Sequence, residues 1–387
     1  MKRFYLLVLI LTLLLFAGCV SSDDADLQKE QIKIAADSSS QAVSPAEEPA
    51  ESSGEEAAAP GELLEEKPGR QWGSGPVSKE DASQSENKAA RAAAGTAEVP
   101  AGPTATLWVT RDFAQKEITG REILLHPGDS VMDILKANLQ VKTQYGGAFV
   151  SDINGLASGY VGPDKKKMDW FYYVNGIMTS VGAQDYHPTS GEIIWWDYHD
   201  WGSAPFTPAL IGAFPEPFRS GYQGKNPGTT VLVTAGCEQQ GERLARSLRD
   251  LGVRQVEVKP YSENLLVEDK KITLVVGLWK QLEKDEYWQG LQKQRRKTGL
   301  FVELASDYFA ALDAQGTVAR RYEKNVGAIA AAGTGLGDFT PVWLVTGLDK
   351  AGLDNAVNIL TENHQKIKQH FGALVVDGKV VAVPVTG

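Results

Sequence analysis

The chain has 387 residues, a formal net charge of −10 and two cysteines, Cys19 and Cys237. Two cysteines exclude a disulfide framework and a cysteine-rich metal site, and the length allows two packed cores. Between Val20 and Pro103 there are 17 acidic and 7 basic residues, whereas Thr104 onward carries 32 acidic and 30 basic, so the part that can fold is near neutral and no nucleic-acid partner is expected.

The first residues read MKRFYLLVLILTLLLFAGC. Lys2 and Arg3 precede an apolar run from Phe4 to Phe16, which predicts a secretory signal over 1–18 rather than a span of the mature protein. Leu15-Phe16-Ala17-Gly18-Cys19 resembles a bacterial lipobox, with Phe16 where an aliphatic residue is usual. The resemblance implies lipidation of Cys19 and an extracytoplasmic chain anchored to the cell membrane. Residues 19–103 are rich in Ala, Glu, Ser, Pro and Gly and predict a disordered acidic tether with an r.m.s. span on the order of 50 Å, broken by at most a marginal helix at 61–67.

Residues 104–201 predict a first domain. Ala105–Arg111 alternates and reads as a strand, as does Glu117–Leu125. Pro127-Gly128 turns the chain, Asp129 or Ser130 caps a helix, and Val131, Ile134, Leu135 and Leu139 recur at helical spacing. Strands follow at Phe149–Gly155, Asp169–Gly176, Ile177–Val181 and Glu192–Tyr198, with Asn175-Gly176 a hairpin signal. The order β-β-α-β-β-β predicts an α+β, β-grasp-like domain.

Four features in sequence resemble the transcobalamin-like C-terminal domain: the helix Ser130–Leu139, the turn FVSDING at Phe149–Gly155, the hairpin WFYYVNG at Trp170–Gly176 and the strand GEIIWW at Gly191–Trp196. That domain closes over a corrinoid in the vertebrate carriers, against a large helical barrel that has no counterpart here. The resemblance implies a small-molecule-binding surface for a corrinoid or related micronutrient, held as a ligand and not as a cofactor, with delivery to a membrane transporter. It places the ligand near Tyr145, Phe149, Tyr160, Trp170, Tyr172, Trp196 and Tyr198.

The stretch Trp195-Trp196-Asp197-Tyr198-His199-Asp200-Trp201 leaves four readings open. On a strand, Trp195, Asp197 and His199 share one face and Trp196 and Tyr198 the other. One tryptophan must enter the core, and the other is expected on an open face. The stretch is then a sheet strand with aromatic cross-strand pairs, an aromatic ligand platform, a metal site of His199 with Asp197 and Asp200, or an acid–base pair.

After a Pro/Gly-rich connector at 202–228, residues 229–387 predict a second domain. Strands are expected at Thr230–Thr234, Gln255–Val258, Ile272–Val276, Leu300–Leu304 and Val342–Thr346, with hairpins around 309–321 and at Asp377-Gly378. Helices are expected over Glu238–Leu251, Trp279–Lys297, Asn325–Ala332 and Leu353–Phe371. The alternation predicts an α/β domain with a mainly parallel sheet. The run VWLVTGLDKAGLDNA at Val342–Ala356 resembles an α/β module of S-layer and other envelope proteins, which implies no activity. Any ligand site here is expected at the strand ends Val276–Leu278 and Thr346–Asp349. The glycine-rich loop Gly333–Asp338 lacks the lysine of a phosphate loop.

No Gly-x-Ser-x-Gly elbow or metal signature is present, so a non-enzymatic role is expected. The leading expectation is a surface lipoprotein that binds a small molecule for uptake. The alternative is an adhesion or interaction module for a protein or cell-wall component.

Overall fold

The computed structural model describes residues 102–385, so the signal segment, Cys19, the stretch 20–101 and the helix expected at 61–67 lie outside the described residues. The fold is mixed α+β and rich in sheet. In the first part, β1 (Thr104–Arg111) and β2 (Lys116–Leu124) precede α1 (Val131–Asn138). Then come β3 (Val141–Gln144), β4 (Phe149–Ile153), β5 (Leu156–Ala157), β6 (Gly159–Val161), β7 (Lys166–Val174), β8 (Ile177–Met178) and β9 (Ile193–Asp200). The main sheet has the order β2-β1-β9-β7-β6, with β8 paired to β7, while β3, β4 and β5 form a small separate sheet. β9 runs parallel to β1 and antiparallel to β7.

Local chemistry explains the boundaries. Ser130 caps α1: its hydroxyl accepts the Asp133 N–H at 3.1 Å, and the Asp133 carboxylate accepts the Ser130 N–H at 3.0 Å. Such a cap contributes about 1 kcal/mol. Val131, Met132, Ile134 and Leu135 bury the helix against the Leu107, Val109, Ile194 and Trp196 side of the sheet. The β7–β8 turn is Asn175-Gly176, with φ of 53° and 78°. Asn175 is fully buried; its side chain accepts the Ile193 N–H at 2.9 Å and donates to the Gly221 carbonyl at 2.8 Å.

The second part holds β10 (Thr229–Val233), α2 (Glu238–Asp250), β11 (Val256–Pro260), α3 (Leu265–Glu268), β12 (Ile272–Leu278), α4 (Trp279–Leu282), α5 (Glu286–Lys293) and α6 (Arg295–Thr298). It continues through β13 (Val302–Leu304), β14 (Phe309–Leu312), β15 (Val318–Tyr322), β16 (Val326–Ala332), β17 (Val342–Gly347), α7 (Lys350–Glu362), β18 (Gly372–Val376) and β19 (Lys379–Val383). A seven-stranded sheet has the order β11-β10-β12-β17-β16-β18-β19, and β13-β14-β15 form a meander.

The sheet is mixed rather than mainly parallel. Pairing is parallel from β11 to β17 and antiparallel from β17 to β19. The difference arises at 325–332, expected as a helix and found as β16. Alanine favours helix, but every residue of β16 is buried between β17 and β18, and tertiary packing overrides propensity. Its small side chains also let α7 approach: a Cβ on Gly327 would lie 2.2 Å from the Gly352 carbonyl oxygen. The helix expected over 279–297 is three short ones; the first break falls at Asp285, which is extended (ψ 138°) and whose carboxylate accepts from the Tyr261 hydroxyl at 2.7 Å, and the second at Gln294. α7 ends at Glu362, and a 3-10 turn, His364–Ile367, leads to β18.

The stretch 202–228, expected as a connector, is packed: Leu210, Ile211, Ala213, Phe218 and Tyr222 are at most 1% exposed. Its backbone is bonded in both directions. The Leu210 N–H donates to Gly176 O, the Ile211 N–H to Phe371 O, and Gly212 O accepts from the Gln369 N–H.

Glu192, just before β9, is 3% exposed and accepts from the Tyr186 hydroxyl at 3.0 Å and the Thr189 N–H at 2.8 Å. Burial outweighs these bonds and holds its carboxyl above the ordinary glutamate range. A raised folded pKa contributes stability that is full below the unfolded pKa and is lost as pH rises through the folded value. The stability of the native chain relative to Glu192→Gln should therefore fall as pH rises above the ordinary glutamate pKa of about 4.3. Urea titrations of both proteins at a series of pH values from about 4 upward check it; a difference that is flat or grows with pH contradicts it.

Candidate functional site

β9 carries the aromatic stretch, and neither of its faces reaches solvent. Toward α1, Trp196 and Tyr198 are 3% and 4% exposed. Trp196 stacks on Tyr172 at 4.9 Å, and Tyr198 packs on Trp170 at 5.0 Å. Trp170 Nε1 donates to Leu156 O at 2.9 Å, the Tyr198 hydroxyl to Ala157 O at 2.5 Å, and the Tyr172 hydroxyl to Val181 O. These four residues are a cross-strand ladder inside the first core.

The opposite face of β9 is also covered. Trp195 is fully buried, 5.7 Å from both Trp108 and Phe371 by ring centroid. The platform expected on an open face is therefore absent, because residues from the second part cover that face. Phe371 lies just before β18 and meets Tyr173, Trp195, His199 and Phe113.

Asp197 sits on this face, fully buried. Its carboxylate accepts from the Thr110 hydroxyl at 2.5 Å, the Phe113 N–H at 3.2 Å and the Ala114 N–H at 2.9 Å, and lies 2.8 Å from His199 Nδ1. Asp112, Phe113 and Ala114 have φ of 59°, 56° and 61°, a left-handed run that turns two amide hydrogens toward the carboxylate. His199 is sandwiched between Phe113 and Phe171, each at 4.4 Å. Asp200 belongs to the other face and accepts from the Gly202 N–H at 3.0 Å, so the three residues of the metal reading do not converge. Among the described residues, no group of three or more His, Cys, Asp or Glu side chains is placed to hold a metal ion. An acid–base role for Asp197 and His199 meets the same burial, 0% and 2% exposed.

The remaining nominated residues lie outward. Tyr145 is 79% exposed and Tyr160 is 71% exposed, both on the segment between α1 and β7. Phe149 is half-buried, with its ring 6.3 Å from Tyr145. Val161, beside Tyr160, is also exposed, and β6 ends the main sheet as an edge strand.

In the second part, the places expected for a ligand are filled by the chain's own side chains. At the end of β12, Gln281 accepts the Thr234 hydroxyl at 2.8 Å and donates to Ala235 O at 2.9 Å. The Thr346 hydroxyl donates to Gly277 O at 2.8 Å, and Asp349 caps α7 through the Gly352 N–H at 2.7 Å. In the Gly333–Asp338 loop, the Asp338 carboxylate accepts from the Thr334 and Thr340 N–H groups at 2.8 and 2.9 Å, so an anion is already built into the loop.

Residues 128–200 match the family model DUF4430, a domain of unknown function. The matched segment runs from the α1 cap to the end of β9 and lies within the stretch that resembles the transcobalamin-like domain; it supports a binding-type domain there. Among solved structures, the chain is similar to "a putative metal binding protein" from Ruminococcus gnavus ATCC 29149, at 13% identity and a TM-score of 0.21, over 25% of this chain and 97% of that one. No curated protein matches the chain.

The sequence reading missed the structural weight of Asp197, Phe113 and Asn175. A three-residue Asp-Phe-Ala turn without glycine carries no signal of positive φ, and a buried carboxylate on an alternating strand looks like a solvent-facing one. Asp197→Ala removes the acceptor for two backbone N–H groups and one hydroxyl at once. It should lower stability by about 3 kcal/mol or more, read by urea unfolding with tryptophan emission. A loss under about 1 kcal/mol would show that the turn stands without it.

Proposed function

We propose that the chain is a non-catalytic extracytoplasmic lipoprotein, anchored through Cys19, whose β-grasp-like first part binds a small molecule of the corrinoid or related micronutrient class for delivery to a membrane transporter. The observation that carries the reading is the exposure of Tyr145 and Tyr160 on the DUF4430 segment, in a domain whose other nominated rings are half-buried or buried. Large amphipathic rings held on ordered backbone offer contact area with little entropy left to lose. The site narrows accordingly to Tyr145, Phe149 and Tyr160. Trp170, Tyr172, Trp196 and Tyr198 belong to the first core instead.

The adhesion reading keeps one observation of its own. β6 is an edge strand whose three residues are all exposed, and such an edge can accept a strand from a protein partner.

Calorimetric titration of the full chain with cobalamin and with cobinamide tests the first reading. Saturable binding at micromolar concentration or tighter is expected, and Tyr145→Ala with Tyr160→Ala should weaken it about tenfold or more. Absence of binding to high micromolar concentration sinks the corrinoid reading. Binding untouched by the double substitution moves the site elsewhere. In cells, Cys19→Ser should shift the protein out of the membrane fraction, and retention there would contradict the lipid anchor.

A further inference from the structure

A cavity of about 420 Å³ opens between the turn Arg219–Asn226 and the loop Gly252–Gln255. Its lining includes two guanidinium side chains, Arg219 and Arg254, and no carboxylate. Arg219 is held in place. Glu216, fully buried, accepts from its Nε at 2.8 Å, and the same carboxylate oxygen lies 2.8 Å from its Nη2. The Ser220 N–H and hydroxyl bond to that carboxylate as well, each at 2.9 Å. One edge of the guanidinium is thus committed inward, and its remaining N–H donors stay available at the cavity. Glu216 balances the charge of Arg219, and the exposed Arg254, also in the lining, leaves it net positive.

Arg254 is exposed and, among the described residues, makes no ion pair or side-chain hydrogen bond. Two like charges on one cavity repel, and a planar fork fixed by a buried acid is the arrangement that receives an oxyanion at low ordering cost. We propose that this cavity binds an oxyanion, a phosphate or carboxylate group, between Arg219 and Arg254. Arg219 acts as the pre-oriented donor and Arg254 as the charge that draws the anion in. The site lies on the 202–228 stretch and the α2–β11 loop, away from Tyr145 and Tyr160 in sequence, and does not depend on the small-molecule reading of the first part.

The full chain is titrated calorimetrically at low ionic strength with inorganic phosphate and, separately, with acetate, against chloride at matched ionic strength. Saturable heat is expected with at least one of the two anions, and which one responds names the source of the oxyanion. Arg254→Gln should weaken that binding about tenfold or more. Arg246→Gln, an exposed arginine of α2 outside this cavity, should leave it unchanged. Arg254 is exposed, so the variant's thermal midpoint should match the native chain's and folding does not confound the result. No saturable binding by either anion overturns the proposal, as does binding that survives Arg254→Gln or falls equally with Arg246→Gln. Arg219 is then only the counter-ion of Glu216.

Discussion

The carboxylate of Asp197 is the interaction on which the join between the two parts depends. It has no contact with solvent, yet it gathers a hydroxyl, two backbone N–H groups and an imidazole. A left-handed conformation costs a residue other than glycine about 1–2 kcal/mol, and the Asp112–Ala114 turn has three in a row. Hydrogen bonds to a charged acceptor are worth about 1.5–3 kcal/mol each, enough to offset that strain. The turn in turn projects Phe113, whose ring stacks on His199 and meets Phe301 and Phe371 from the second part. One buried charge thereby fixes the aromatic joint.

This joint changes what the first part can do. A β-grasp-like sheet with one helix normally has a face to spare. Here β9 is covered by α1 on one side and by Phe371 and its neighbours on the other. Residues 202–228 close the arrangement by bonding to Gly176 on one side and to Gly212's partners before β18 on the other. The two parts therefore share an apolar core that includes Trp108, Tyr173 and Trp195 with Leu304, Phe309 and Phe371. A ligand cannot lie flat on the main sheet. Tyr145 and Tyr160 stand clear of this core and are exposed.

Much of this was legible in the sequence, and what was not has a physical reason. The α1 cap, expected at Asp129 or Ser130 and found at Ser130, the Asn175-Gly176 and Asp377-Gly378 turns and the first five strands of the second part rest on local rules, and local rules placed them within a few residues. Strand alternation also assigned Trp195, Asp197 and His199 to one face and Trp196 and Tyr198 to the other. It could not say what covers each face, because period 2 encodes sidedness and not the neighbour. That gap produced the expectation of an open platform. The 325–332 helix failed for a related reason: Ala-rich propensity is weak beside the demand of two flanking strands and a close helix for small side chains. The connector was misjudged from its Pro and Gly, although Ala209-Leu210-Ile211 and Phe218 already had the character of buried chain.

In the second part, too, polar side chains of the chain itself take up backbone donors and acceptors. Where a doubly wound sheet would leave a crevice at its strand ends, Gln281 bridges Thr234 and Ala235. Where a glycine-rich loop would cradle a phosphate, Asp338 supplies the negative charge from within the chain. Each of these side chains already satisfies groups that a ligand would otherwise meet, and a ligand arriving there would have to displace it. The described fold therefore spends these positions on rigidity. The exposed features lie at the periphery: the Tyr145 and Tyr160 rings on the first part, and Arg219, held by Glu216, beside the α2–β11 loop.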